Sequence, residues 1–274
     1  MLTGNLKKMS THVESQNVQY ALTLGEERVC VEDLLGKKVT LVFHGRIHCI
    51  HCGRVTNKSF RQGFCFSCFK KLAACDTCIM SPEKCHYHLG TCREPQWAEK
   101  YCMQDHYVYL ANSSGLKVGI TRGDQLPTRW VDQGATQARS LFRVKNRHIS
   151  GLVETLFKTQ VADKTNWRHM LKGIAVQKDL KFEQERLIDL VYEGLDSLQS
   201  DFGLQSITDL SDENETHEFT YPVLQYPTRI TSLNAEKTPI LEGVLMGIKG
   251  QYWMLDTGVI NIRTYTGYQA TLTF

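Results

Sequence analysis

Two tight cysteine pairs, Cys49-Ile-His-Cys52 and Cys65-Phe-Ser-Cys68, stand twelve residues apart in this chain. Thiolates that close together on a turn point at one ion, and two such turns complete a tetrahedron around it. Gly53 follows the first pair and Gly63 precedes the second, where the turns need permissive backbone. A redox dithiol needs only one C-x-x-C, so the doubled motif predicts a structural zinc held by Cys49, Cys52, Cys65 and Cys68.

A second set follows at once: Cys75-Asp-Thr-Cys78, Cys85-His-Tyr-His88 and Cys92. It predicts a second structural zinc on Cys75, Cys78, Cys85 and Cys92, with His86, His88 and Cys102 competing for the last places. The alternative is one zinc plus small buried cysteines. Both sites are closed by protein ligands, which marks them as structural, in a region too poor in aliphatic residues to hold itself by burial. Cys30 has no neighbouring cysteine and reads as a core residue.

The remaining composition narrows the class. The 274 residues are enough to bury a real core. No apolar run approaches the ~18–20 residues of a membrane helix. Residues 1–15 lack the apolar stretch of a secretory signal, so the expected address is cytoplasmic, where disulfides do not persist. The formal net charge of +3 hides an uneven spread. Residues 37–71 carry eight Lys/Arg and no acid, whereas residues 179–218 carry twelve acids against Lys181 and Arg186. A basic front half suits a polyanion. Lys58, Arg61 and Arg122 are the candidate nucleic-acid contacts, and Phe60, Phe64, Phe66 and Phe69 among these bases are expected to pack over the metal site. The acidic stretch offers the rival use, a surface for a protein partner.

Hydrophobic patterning predicts an α+β chain with β-rich ends flanking the cysteine knuckles and a small central β-β-α-β-α unit. The expected divisions are a polar, poorly ordered lead-in over 1–17, an N-terminal β segment over 18–48 and a zinc-binding stretch over 49–105. The α/β unit over 106–176, a helix and acidic spacer over 177–218, and a C-terminal β domain over 219–274 follow. Helices are expected over 148–161, 166–176 and 180–198, and the C-terminal strands are expected to pair with the N-terminal segment.

Within the central unit, Tyr107-Val-Tyr109, Lys117-Val-Gly119, Arg129, Glu154 and Asn166 together resemble a degenerate GIY-YIG nuclease domain. Cleavage by such a domain uses one Mg2+ or Mn2+. The resemblance implies that Tyr109 serves the attacking water, that Arg129 neutralises phosphate and that Glu154 holds the divalent ion. Lys117 stands where the second motif has tyrosine, Tyr107 where the first has glycine, Gln133 where a histidine often follows the arginine, and Asn166 closes the set. One cation and one carboxylate suffice for this chemistry, because Mg2+ keeps several waters and takes substrate phosphate oxygens as ligands. Over nearly its whole length the chain also resembles an uncharacterised family of bacterial proteins that share the cysteine-rich front, the centre from His106 to Arg122 and the stretch Asp163–Arg168. That likeness brings no activity with it.

Overall fold

The computed structural model describes residues 1–161, 165–211 and 213–274. Asp163 and Lys164 of the 163–168 stretch, and Asp212 of the acidic spacer, lie outside the described residues.

The N-terminal part comprises strands β1 (Leu2–Asn5), β2 (Ser10–Glu14), β3 (Asn17–Leu24), β4 (Glu27–Cys30), β5 (Lys38–His48) and β6 (Val55–Thr56). Short helices α1 (Phe66–Lys71) and α2 (Pro95–Tyr101) follow, with 3-10 turns between them. The central part holds β7 (His106–Asn112), β8 (Leu116–Arg122), α3 (Thr128–Asp132), β9 (Gln137–Val144) and α4 (Arg147–Lys158). After α5 (Trp167–Met170) and α6 (Leu180–Phe202) come β10 (Ile207–Asp209), β11 (His217–Glu218), β12 (Ile240–Lys249), β13 (Tyr252–Leu255), β14 (Gly258–Asn261) and β15 (Tyr268–Thr273).

The largest sheet runs β1-β15-β5-β12-β13-β14, with β6 attached to β5. N-terminal β5 therefore lies between two C-terminal strands, antiparallel to both, with Leu41 opposite Leu241 on one side and Leu272 on the other. Its alternation puts Val39, Leu41 and Phe43 inside while Lys38 stays in solvent, as period-two geometry requires. A three-stranded sheet β2-β3-β4 closes over this core, and Tyr20, Leu22 and Leu24 pack with Trp253, Leu255 and Leu272.

The lead-in thus differs from expectation, since residues 1–17 contain β1 and β2. Their order comes from backbone pairing: β1 adds to β15 and β2 to β3, and their side chains are mostly polar or half-buried, which hides them from a hydrophobicity pattern. Cys30 is exposed, not core. It ends β4, at the edge of the three-stranded sheet, and its Sγ donates to Glu32 Oε2 at 3.0 Å.

The third sheet runs β10-β9-β7-β8, with β11 on β9. On one face Val108, Leu110, Val118 and Ile120 meet Ile149, Val153 and Phe157 of α4 and Leu187, Val191 and Leu195 of α6. The α6 positions recur every four residues, so one helix stripe is buried. Asp179 caps α6, its Oδ1 accepting from the backbone N–H groups of Lys181 and Phe182 at 3.1 Å. On the opposite face Tyr109 and Ala111 join Trp130 and Val131 in the core of the large sheet. The helix expected over 166–176 is shortened to α5 because Gly173 takes φ +71°, with the Tyr226 ring packed where a side chain would stand. No helix among the described residues is long and apolar enough to cross a membrane.

His106, the first residue of β7, is fully buried. Its Nδ1 bonds the Gln104 carbonyl at 2.8 Å, and its Nε2 has no partner among the described residues. Burial pushes its pKa down to about 4, with Arg147 and Arg122 adding to the fall. The unfolded chain takes up a proton near pH 6.5 and the folded chain only near 4, so stability present above 6.5 is lost as pH falls through that window, by roughly 3 kcal/mol. Urea midpoints measured from pH 7 to 4 should decline, and His106→Gln should flatten that part of the decline.

Candidate metal centre and central polar cluster

Strand β5 runs straight into Cys49, and the two knuckles fold back on each other beyond it. Ile50 N–H donates to the Gly63 carbonyl at 2.9 Å, Gly53 N–H to the Cys49 carbonyl at 2.9 Å, and Phe60 and Phe64 form a two-bond bridge. Gly63 takes φ +129°, and a β-carbon there would collide with Ile50 at 2.7 Å, so the turn between the knuckles needs glycine. Cys65 precedes the first turn of α1, which brings Cys68 round beside it.

The sulfurs of Cys49, Cys52, Cys65 and Cys68 all lie within 4.8 Å of one another, and Cys52 Sγ is 3.8 Å from Cys65 Sγ. Burial works against ionising Cys49, but backbone N–H groups of Cys52, Cys65 and His51 aimed at its sulfur outweigh this and lower its pKa to about 6. Burial and the neighbouring thiols drive Cys68 the other way. Four adjacent thiols cannot all ionise unless a cation neutralises them, and a closed tetrathiolate of this shape is the donor set of structural zinc. The four-cysteine cluster could hold a metal ion and is compatible with structural zinc.

The second set is not gathered as four cysteines. Asp76, Cys78 and His86 come within 4.8 Å of one another instead, and the spacing of cysteines gave no sign of Asp76. Its carboxylate accepts from Thr77 N–H at 2.5 Å and pairs with Arg93 Nε at 2.7 Å. The Cys75 pKa is raised by burial, opposed by Arg61 and Arg93 and reinforced by Cys49. His88 stacks on His148 with centroids 5.7 Å apart. Phe60 packs against Phe66 and Phe69, both at 5.4 Å, with Phe66 exposed.

Two motif residues of the central unit, Tyr109 and Lys117, meet at Gln133. Tyr109 Oη donates to Gln133 Oε1 at 3.0 Å, and Lys117 Nζ donates to the same oxygen. Tyr109 faces Gly119 across the β7–β8 pair, and a β-carbon on Gly119 would stand 2.6 Å from Tyr109 Oη. The glycine therefore lets the phenol pass over the neighbouring strand. Burial raises the Tyr109 pKa; Arg129 opposes the rise and Glu154 and Asp132 add to it, which puts all three within electrostatic reach of the phenol. Glu154 also pairs with Lys158 at 3.0 Å, one turn along α4. Tyr109 is 0% exposed, Lys117 4% and Glu154 9%, whereas Arg129 and Gln133 are half-buried. The role of Gln133 was invisible in sequence, where it registers only as a departure from a motif.

Asn166 stands apart from this cluster. It caps α5, its Oδ1 accepting from His169 N–H at 3.3 Å, and it lines a cleft of about 330 Å³ with Arg168, Lys172 and Arg229. Of the candidate nucleic-acid contacts, Lys58 lies over the Phe60 ring at 5.5 Å. Arg61 donates to the Asp76 carbonyl at 3.1 Å, and Arg122 pairs with Asp124 at 2.9 Å and stacks on Tyr101 at 4.9 Å.

Two substitutions probe this geometry. Cys65→Ser should lower bound zinc by about one equivalent per chain, read by elemental analysis, and destabilise the cysteine-rich stretch to proteolysis. Gly119→Ala should cost about 1–3 kcal/mol in urea denaturation through overpacking against the buried phenol.

Comparison with protein-family models matches residues 36–270 to a family described as a protein of unknown function, DUF2797. Comparison with curated proteins and with solved structures gives no match. The family match begins just before β5 and ends within β15, taking in both the thiol cluster and the polar cluster. The chain belongs to the DUF2797 family.

Proposed function

We propose that this protein binds nucleic acid and cleaves a phosphodiester at the Tyr109–Lys117–Arg129–Glu154 cluster, with the tetrathiolate zinc holding the basic stretch beside it. The observation that carries the reading is the shared contact of Tyr109 and Lys117 with Gln133, with Arg129 and Glu154 in electrostatic reach. Tyr109 and Glu154, 45 positions apart in sequence, would supply the hydroxyl and the carboxylate that phosphoryl chemistry uses together with fixed cations.

In this reading Arg129 and Lys117 neutralise the scissile phosphate, and Tyr109 orients the attacking water through its hydroxyl. Glu154 supplies the carboxylate for a divalent ion, which when bound would polarise the phosphate oxygens. Lys158 holds that carboxylate in the absence of substrate, so binding has to draw Lys158 onto phosphate and uncover the phenol.

Incubation of the full chain with single- and double-stranded DNA and RNA in Mg2+ or Mn2+ should give cleavage. Glu154→Ala should abolish it, and Tyr109→Phe should slow it by about tenfold or more, within the usual range for a group assisting proton transfer. Absence of cleavage in every substrate and metal, or unchanged cleavage by Glu154→Ala, rules the enzyme reading out.

The burial of Tyr109 and Lys117 favours a second reading, a non-catalytic nucleic-acid-binding module. It predicts salt-dependent binding without turnover, with the salt slope reduced by about one for each of Lys58→Ala and Arg61→Ala that removes a phosphate contact. Equal salt slopes for wild type and both variants contradict it.

A further inference from the structure

Asp76 is a buried carboxylate held from several sides. Its Oδ1 accepts from Thr77 N–H at 2.5 Å, its Oδ2 accepts from Arg93 Nε at 2.7 Å, and its backbone carbonyl accepts from Arg61 Nη1 at 3.1 Å. Arg93 Nη1 in turn donates to the Phe69 and Leu72 carbonyls at 3.1 and 3.3 Å, at the end of α1. The carboxylate therefore has a set orientation, and its Oδ2 stands 3.5 Å from His86 Nε2.

The protons on His86 follow from its other contact. Thr91 Oγ1 donates its one proton to the His86 carbonyl at 3.3 Å, so in its 2.8 Å contact with His86 Nδ1 the hydroxyl oxygen accepts. The ring N–H is thus on Nδ1, and in the neutral ring Nε2 carries a lone pair. That lone pair faces a carboxylate oxygen, an arrangement of two acceptors that needs a cation or a proton between them. A proton would serve the histidine and the carboxylate alone. The sulfur of Cys78 lies within 4.8 Å of both as well, and three donors of three kinds facing one point suit a metal ion.

We propose that Asp76, Cys78 and His86 form a second zinc site, of mixed oxygen, sulfur and nitrogen donors, with its fourth position open to an exogenous ligand. Zinc bonds of about 2.0–2.1 Å to nitrogen and oxygen at the tetrahedral angle put such ligand atoms about 3.3 Å apart, close to the 3.5 Å between His86 Nε2 and Asp76 Oδ2. A thiolate with an imidazole and a carboxylate suits zinc rather than Mg2+ or Ca2+, which take oxygen. Among the described residues no fourth His, Cys, Asp or Glu joins these three within 4.8 Å, and the His86 side chain is 28% exposed. Three protein donors and a place for solvent are the pattern of a reactive zinc, in contrast to the closed tetrathiolate.

The surrounding contacts are those that metal ligands require. Thr91 fixes the tautomer and the ring plane of His86, and Thr77 N–H and Arg93 fix the carboxylate, as the outer partners of a metal centre do. Only one cysteine of the set that the spacing groups together takes part, and Asp76 and His86 stand in for the others. The site is independent of the phosphodiester reading.

Zinc counted by elemental analysis on the full chain, saturated with zinc and then desalted, tests the assignment. Wild type should hold two equivalents, His86→Gln and Cys78→Ser one, and Cys92→Ser two. One equivalent in wild type overturns the proposal and leaves His86 and Asp76 as an imidazolium–carboxylate pair only. Two equivalents in His86→Gln, or one in Cys92→Ser, overturn the donor set. Cobalt exchanged into the full chain reads the open position: azide should change the visible absorbance of wild type and not of His86→Gln, and a wild type that does not respond refutes it. Should His86→Gln fail to fold, the wild-type zinc content, Cys92→Ser and the azide response of wild type decide the matter.

Discussion

Between residues 49 and 105 the protein has almost nothing apolar to hold it. Among the described residues of that stretch no Leu, Ile, Val, Met, Phe, Tyr or Trp is buried; the buried side chains are Cys49, Cys65, Ala73, Cys75, Asp76, Pro82, Ala98 and Cys102. A segment of this length cannot offset its conformational entropy with so little burial. The convergence of four thiols within 4.8 Å is therefore the constraint on which the stretch depends, because metal binding supplies folding free energy that burial does not.

That constraint is anchored at one place. Strand β5 lies between β12 and β15, so the position of the first cysteine is set by pairing with the C-terminal part of the chain. Gly267 reinforces the junction, its carbonyl accepting from His48 N–H at 2.7 Å, one residue before Cys49. The central sheet is tied into the same body on its other face, where Tyr109 and Trp130 share a core with the large sheet. The hydroxyl of Tyr109 consequently has its aromatic ring set by the β core and its polar end set by Gln133. This two-sided hold fixes the phenol of Tyr109 at the polar cluster.

How much of this was legible in sequence depends on the range of the interaction. The knuckles could be read because their ligands sit on two local turns whose spacing carries the geometry. The order β7-β8-α3-β9-α4 followed from alternation and helical period in a stretch with strong apolar contrast. Strands β1 and β2 were missed because backbone bonds to β15 and β3 order them, and polar outward side chains carry no trace of that. Gln133 was missed because its bonds to Tyr109 and Lys117 span 24 and 16 residues. Asn166 was grouped with the motif by position alone, whereas locally it is a helix cap.

The central claim is that tetrathiolate zinc, rather than apolar burial, holds the front of this protein together. X-ray absorption fine structure at the zinc edge of the full chain carrying His86→Gln, which leaves the first centre as the zinc site, tests it directly. The account predicts nearest neighbours that are sulfur alone, four per zinc at about 2.3 Å. Nitrogen or oxygen neighbours in place of sulfur, or a folded chain that carries no zinc, would contradict it.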